Sequence, residues 1–102
     1  MDTTTRRIVE SPLYQGVDEQ IAYTLTTTPW GSSPTSVAVV LKNSAGTDVS
    51  STYLSGSASV SGNVITTPVV KSLVVDAWYR LEIKFTCSGN IFEAFADIVG
   101  QT

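Results

Sequence analysis

Trp78-Tyr79-Arg80-Leu81-Glu82-Ile83-Lys84-Phe85-Thr86-Cys87, then Ser88-Gly89-Asn90, then Ile91-Phe92-Glu93-Ala94-Phe95-Ala96-Asp97-Ile98-Val99: this stretch decides the fold. In its first part Tyr79, Leu81, Ile83, Phe85 and Cys87 alternate with Trp78, Arg80, Glu82, Lys84 and Thr86. Successive side chains of a strand point to opposite faces, so one face is apolar and the other mostly charged. In the last part Phe92, Ala94, Ala96 and Ile98 share a side, with Glu93 and Asp97 on the other. Ser88-Gly89-Asn90 reads as a three-residue turn, because Gly and Asn tolerate positive φ. The whole is a long β-hairpin whose apolar face needs a second sheet to cover it. Tyr79, Leu81, Ile83 and Phe85 are therefore assigned structural roles.

Working back from the hairpin, further extended segments follow one another. Residues 20–28 alternate, with Ile21, Tyr23 and Leu25 inward. Residues 35–42 are apolar on both faces, through Val37, Val39 and Leu41 on one and Ala38 and Val40 on the other. Such a strand is central in its sheet or covered by a partner. A weaker strand is expected over 47–53, a short one around 58–60 within a Ser/Gly-rich run, and another over 64–67 that Pro68 ends. Residues 69–76 cross from one sheet to the other. Upstream, 8–10 read as a first strand interrupted by Ser11-Pro12 and resumed at Leu13-Tyr14, and 1–7 as a loose polar arm. Residues 8–100 form one domain. No ten-residue segment repeats with a helical period. About seven strands at roughly ten-residue spacing predict an antiparallel β-sandwich.

Composition narrows the function classes. Of the 102 residues, 42% are hydrophobic but only 15% are charged, below the usual quarter, with Ser and Thr making up the difference. That balance suits an extracellular-type β-domain or a surface spent within an assembly. The net charge of −3 and the lack of any basic cluster beyond Arg6-Arg7 argue against nucleic acid as a partner. There is no histidine, which removes the commonest general base and transition-metal ligand. Cys87 is the sole cysteine and alternates with the inward residues, as a small buried hydrophobe. Residues 1–12 lack the apolar core of a signal peptide, and the apolar run 37–41 is too short to span a bilayer. Synthesis in a cytoplasm without export by the usual route, and no membrane partner, are the expectations.

Candidate chemistry is sparse. Glu82 and Glu93 lie on outward faces of neighbouring strands, but a glycosidase needs its two carboxylates about 5–10 Å apart in a cleft. With Arg80 and Lys84 alongside, cross-strand ion pairs are the simpler reading. Asp18, Glu19, Asp48 and Asp76 lack the spacing of a calcium loop. No catalytic residue, metal site or cofactor is expected. Trp30, in the breaker-rich loop 29–34, either folds over the core edge or stands at a contact surface. Trp30, Trp78, Arg80, Glu82, Lys84 and Glu93 are the candidate partner contacts.

Asp76-Ala77-Trp78-Tyr79 resembles the entry to the sixth strand of immunoglobulin-like domains. The resemblance implies that the Tyr79 hydroxyl bonds backbone around residues 73–75, as a tyrosine corner. Leu81 stands where antibody-type domains carry a cysteine, and residues 35–42 lack their tryptophan. Across residues 14–99 the chain is similar to small immunoglobulin-like accessory proteins of tailed bacteriophages. The similarity is carried by Tyr14, Gly16, Ile21, Tyr23 and Leu25, by the Ser/Thr/Gly-rich middle, and by the run from Tyr79 to Asn90. It implies a non-enzymatic structural or adaptor protein of the virion (tail, fibre-attachment or decoration) that contacts other virion proteins and forms a homo-oligomer in the assembly. The alternative is a β-sandwich module binding carbohydrate or a host surface, which needs Trp30, Tyr53 or Trp78 exposed in a shallow groove.

Overall fold

In a computed structural model, residues 12–102 are described. The expected arm over 1–7 and strand over 8–10 lie outside them. Eight strands and one short helix follow in order: β1 (Leu13–Gly16), β2 (Ile21–Thr26), β3 (Thr35–Asn43), α1 (Ser50–Tyr53), β4 (Leu54–Ser55), β5 (Ser59–Ser61), β6 (Val64–Val70), β7 (Trp78–Cys87) and β8 (Asn90–Gln101). One sheet has the order β1-β8-β7-β3; the other is β2-β6-β4, with β5 also on β6. The two sheets pack face to face as a β-sandwich.

The long hairpin forms as its alternation dictates. Tyr79, Leu81, Ile83, Phe85 and Cys87 are all buried, and so are Ala94, Ala96 and Ile98 across the ladder. The turn is tighter than expected. Cys87 pairs with Asn90, so only Ser88 and Gly89 lie between the strands, at φ of 51° and 80°. Positive φ at both central residues matches the twist of the flanking strands, which two-residue hairpins require. Two adjoining clusters fill the space between the sheets. One gathers Leu25, Ile65, Ile83, Phe85, Cys87 and Ala94; the other gathers Leu41, Val70, Leu73, Tyr79, Leu81 and Ile98.

Four expectations need correction. Residues 47–53 are not a strand: after the turn at 44–47, Ser50–Tyr53 make a single helical turn. There Ser50 Oγ accepts the Leu41 N–H at 2.9 Å and donates to the Asp48 carboxylate at 2.6 Å. Val49 N–H donates to the Leu41 carbonyl and Asn43 N–H to that of Thr47. These bonds close one half of the outer edge of β3. A register shift between Thr35 and Ala38, with Ser36 at φ 53°, disrupts the other half. Second, then, β3 is an edge strand, so of the two readings for its two-sided apolar pattern the central position is excluded.

Third, Pro68 does not end β6, which continues to Val70. Between the pairs Ala22↔Val69 and Thr24↔Thr66, Tyr23 alone faces both Thr67 and Pro68. In this bulge the Tyr23 N–H donates to Thr67 Oγ1 at 2.9 Å. On the other flank, β4 pairs with residues 69 and 70 and β5 with 64–66. The imino nitrogen that has no hydrogen thus falls at a gap on both sides. Fourth, β1 pairs with β8 in parallel, so the sandwich is not wholly antiparallel. The link over residues 17–20 carries the chain from one sheet to the other, which frees β1 from hairpin geometry.

The segment after β6 crosses between sheets as expected and is fastened to β8. Asp76 N–H donates to the Gly100 carbonyl at 2.9 Å, and Gly100 N–H to that of Ala77 at 3.1 Å. A Cβ on Gly100 would overlap the carbonyl oxygen of Val74. Gly100→Ala is expected to lower stability by about 1–3 kcal/mol, because backbone has to move. Urea unfolding gives the loss, and faster exchange of the Asp76 amide would place it in this segment.

Tyr79 makes the corner contact that the resemblance implied: Val74 N–H donates to its hydroxyl at 3.0 Å. Its ring meets that of Tyr53 edge-on, with centroids 5.2 Å apart. Burial raises the Tyr79 hydroxyl pKa above its ordinary value; the Val74 N–H pulls the other way, and Tyr53 adds to the rise. Tyr23 is raised too, by burial and then by the Glu19 carboxylate. A pKa raised on folding means that the folded chain holds the proton more tightly. The contribution to stability is thus full below about pH 10 and is lost as pH climbs through the folded values. Melting temperature should fall above about pH 10, and Tyr23→Phe/Tyr79→Phe should make that alkaline fall shallower.

Candidate functional site

The charged face of the hairpin is the outer face of the β1-β8-β7-β3 sheet, and register arranges it in rungs. Tyr14, Val99 and Trp78 stand side by side on β1, β8 and β7. Next come Asp97, Arg80 and Lys42, then Phe95, Glu82 and Val40, then Glu93, Lys84 and Ala38, and finally Ile91 and Thr86. Tyr14 is 59% exposed, Trp78 48% and Ile91 67%, whereas Val99, flanked by Tyr14 and Trp78, is only 9% exposed. Apolar groups thus sit at both ends of the face with a charged band between them.

Cross-strand contacts order the band. Lys42 Nζ lies 3.2 Å from Glu82 Oε1, and Arg80 Nε 3.6 Å from Asp97 Oδ1. The Arg80 guanidinium carbon sits 4.2 Å over the Phe95 ring centroid. Exposed ion pairs of this kind add about 0–1 kcal/mol each, and an exposed cation–π contact about 0.5–1. The band is therefore a weak contributor to stability; its effect is to hold long side chains in place.

A shallow open concavity of about 390 Å³ lies where this face meets the turn after β3. Lys42, Asn43, Trp78, Arg80, Glu82 and Asp97 line it. Asn43 Oδ1 accepts the N–H groups of Ala45 and Thr47, each at 3.0 Å, which fixes the side-chain amide at the rim.

The sequence-derived candidates divide. Trp78, Arg80, Glu82, Lys84 and Glu93 share the face, and three of them reach the concavity. Trp30 does not join them. It is half-buried and packs edge-on against Phe85, with centroids 5.8 Å apart, so it closes one end of the core. Tyr53 is likewise half-buried, against Tyr79. Glu82 and Glu93 occupy successive rungs, with Lys84 directly opposite Glu93, and only Glu82 reaches the concavity. Asp48 does not line the concavity but stands opposite Lys42 in a single bridge beyond it; hydrogen bonds from the Ser50 hydroxyl and N–H, then Lys42, lower its pKa. Among the described residues, no three acidic or cysteine side chains converge to hold a metal ion, and no helix is long and apolar enough to cross a membrane.

No known protein decides among these readings. Comparison with family models, curated proteins and solved structures finds no match. The face has to be read from its own chemistry.

Tyr14, Lys42, Asn43 and Phe95 belong to this site but are missing from the sequence-derived set. Phe95 was recoverable, since alternation from Ala94 and Ala96 turns it outward beside Arg80. Lys42 and Asn43 were not, because only the pairing of β3 with β7 brings them there.

Proposed function

We propose that the chain is a non-enzymatic structural or adaptor protein of a phage virion, docking other virion proteins through the outer face of the β1-β8-β7-β3 sheet. The observation that carries this reading is the arrangement of that face. Exposed Tyr14, Trp78 and Ile91 bracket a band of alternating charge on the most regular part of the fold. Exposed aromatics beside arginine are what protein interfaces enrich, and fixed charges of both signs set orientation and choice of partner. The resemblance to tailed-phage accessory proteins over residues 14–99 supplies the virion context. Self-association in a symmetric assembly is part of the same reading.

The test mixes the purified chain with each head and tail protein of the phage that encodes it, read by size exclusion with light scattering. One partner should give a defined complex, and Lys84→Glu/Ile91→Asp should abolish it while leaving the fold intact. A chain that stays monomeric alone and with every virion protein would overturn the proposal.

A further inference from the structure

The concavity beside Trp78 holds two cations and two carboxylates, and they are already paired: Lys42 with Glu82 and Arg80 with Asp97. The lining residues therefore sum to zero formal charge, and Asp48, opposite Lys42 just beyond them, adds a further carboxylate on that side. A phosphate or sulfate would be repelled by the carboxylate beside each cation it approached, and a basic ligand would meet the converse. A neutral hydroxyl has no such conflict, since it donates to a carboxylate and accepts from a guanidinium or ammonium at once. Vicinal hydroxyls on a ring can bridge the existing ion pairs without breaking them.

The remaining features select the same ligand. Arg80 is held from one side by the Phe95 ring and from another by Asp97, so its planar donors are ordered before a ligand arrives. With its oxygen spent on the turn, Asn43 keeps its two Nδ2–H donors for a ligand. Trp78, half-exposed at the wall, supplies apolar surface against which the C–H face of a pyranose packs. The volume of about 390 Å³ is at the small end of ligand sites. Trp30 and Tyr53 are committed to core packing, so of the three aromatics suited to such a role only Trp78 meets the condition.

We infer that the concavity lined by Trp78, Arg80, Glu82, Lys42 and Asn43 is a binding site for one or two residues of an uncharged carbohydrate. The sugar stacks on Trp78, and its ring hydroxyls bridge the Lys42–Glu82 and Arg80–Asp97 pairs. The site shares Trp78 and Arg80 with the docking face, but sugar binding needs no virion protein, and the isolated chain suffices to test it.

The experiment is a titration of the 15N-labelled chain with methyl glycosides of glucose, galactose, mannose and N-acetylglucosamine, and separately with sodium sulfate. At least one glycoside should shift the Trp78 indole N–H and the Arg80 Nε–H saturably, while sulfate moves neither. Trp78→Ala should weaken binding about tenfold or more, as expected for loss of one stacking surface. Arg80→Lys keeps the charge but loses the planar fork and should also weaken it, with the folded spectrum unchanged. Val60→Ala, on the opposite sheet, should bind as the parent does. Absence of saturable shifts with all four glycosides, binding unaffected by both Trp78→Ala and Arg80→Lys, or an equal response to sulfate would overturn the assignment. Failure of the two proposals stays distinguishable: glycoside binding is read on the chain alone, and complex formation by Lys84→Glu/Ile91→Asp, at two residues outside the concavity.

Discussion

Phe85→Ala is expected to destabilise the domain by about 3–5 kcal/mol, the largest effect of any single truncation considered. Phe85 is fully buried at the centre of one core cluster. Its ring meets Trp30 edge-on and Phe92 at a tilt, each with centroids 5.8 Å apart. Truncation removes the transfer free energy of a benzyl group and leaves a cavity between two aromatic rings. β7 lies between β8 and β3, and its unbroken ladder with β8 pairs Phe85 with Phe92, so the backbone has little freedom to collapse into the space. A domain of this size is stable by about 5–15 kcal/mol in all, so about a fifth or more of that margin is at stake. Urea unfolding measures the loss. On the same ladder, Ile91→Ala should change stability by no more than about 0.5 kcal/mol, because Ile91 is exposed. Equal effects at the two positions would contradict the sandwich.

Gln15→Leu should be nearly as damaging, at about 3 kcal/mol or more, for a different reason. Gln15 is completely buried on β1 and clips the two sheets together. Its Nε2 donates to the Val70 carbonyl on β6 at 2.8 Å and to the Glu19 carbonyl at 3.0 Å. Its Oε1 accepts the Tyr23 hydroxyl at 2.7 Å. Leucine fills nearly the same volume and leaves those groups without their partner, at about 1–3 kcal/mol for each that stays buried. Adding Tyr23→Phe removes one stranded donor. The double variant should therefore be less unstable than the two single losses summed. Simple additivity would mean that the Gln15–Tyr23 bond has no weight in the fold.

These two residues also mark what could be read from the sequence. Phe85 was legible because the period-two pattern from Tyr79 to Cys87 is uninterrupted, and burial follows directly from it. Gln15 was not singled out, because the resumed strand was read only over Leu13-Tyr14. A lone glutamine in a four-residue strand gives no signal until its partners on two other strands are known. The expectation that Pro68 ends a strand came from a sound local rule and failed on tertiary grounds: both neighbouring strands leave a gap at that position. The two-sided apolar pattern of residues 35–42 allowed the sheet centre or a strand covered by a partner; β3 is at the edge, which Ser50, Val49 and Thr47, read as a weak strand, close. The candidate face was half legible. Trp78, Arg80, Glu82, Lys84 and Glu93 came from alternation alone, but the concavity needed β3 beside β7. For Trp30 both readings were open in the sequence, and its packing on Phe85 is the core-edge one: a loop tryptophan closes the core from outside the strands.

The hydroxyl–carboxylate plug at Leu41, Ser50 and Asp48 has a consequence for growth. Fibres of β-proteins extend by adding a backbone to an unprotected border strand. Here that border is already occupied along one half and distorted along the other. Polymerisation through β3 is therefore obstructed, and any closed ring or lattice that uses this side of the molecule has to be built broadside, sheet surface against neighbour.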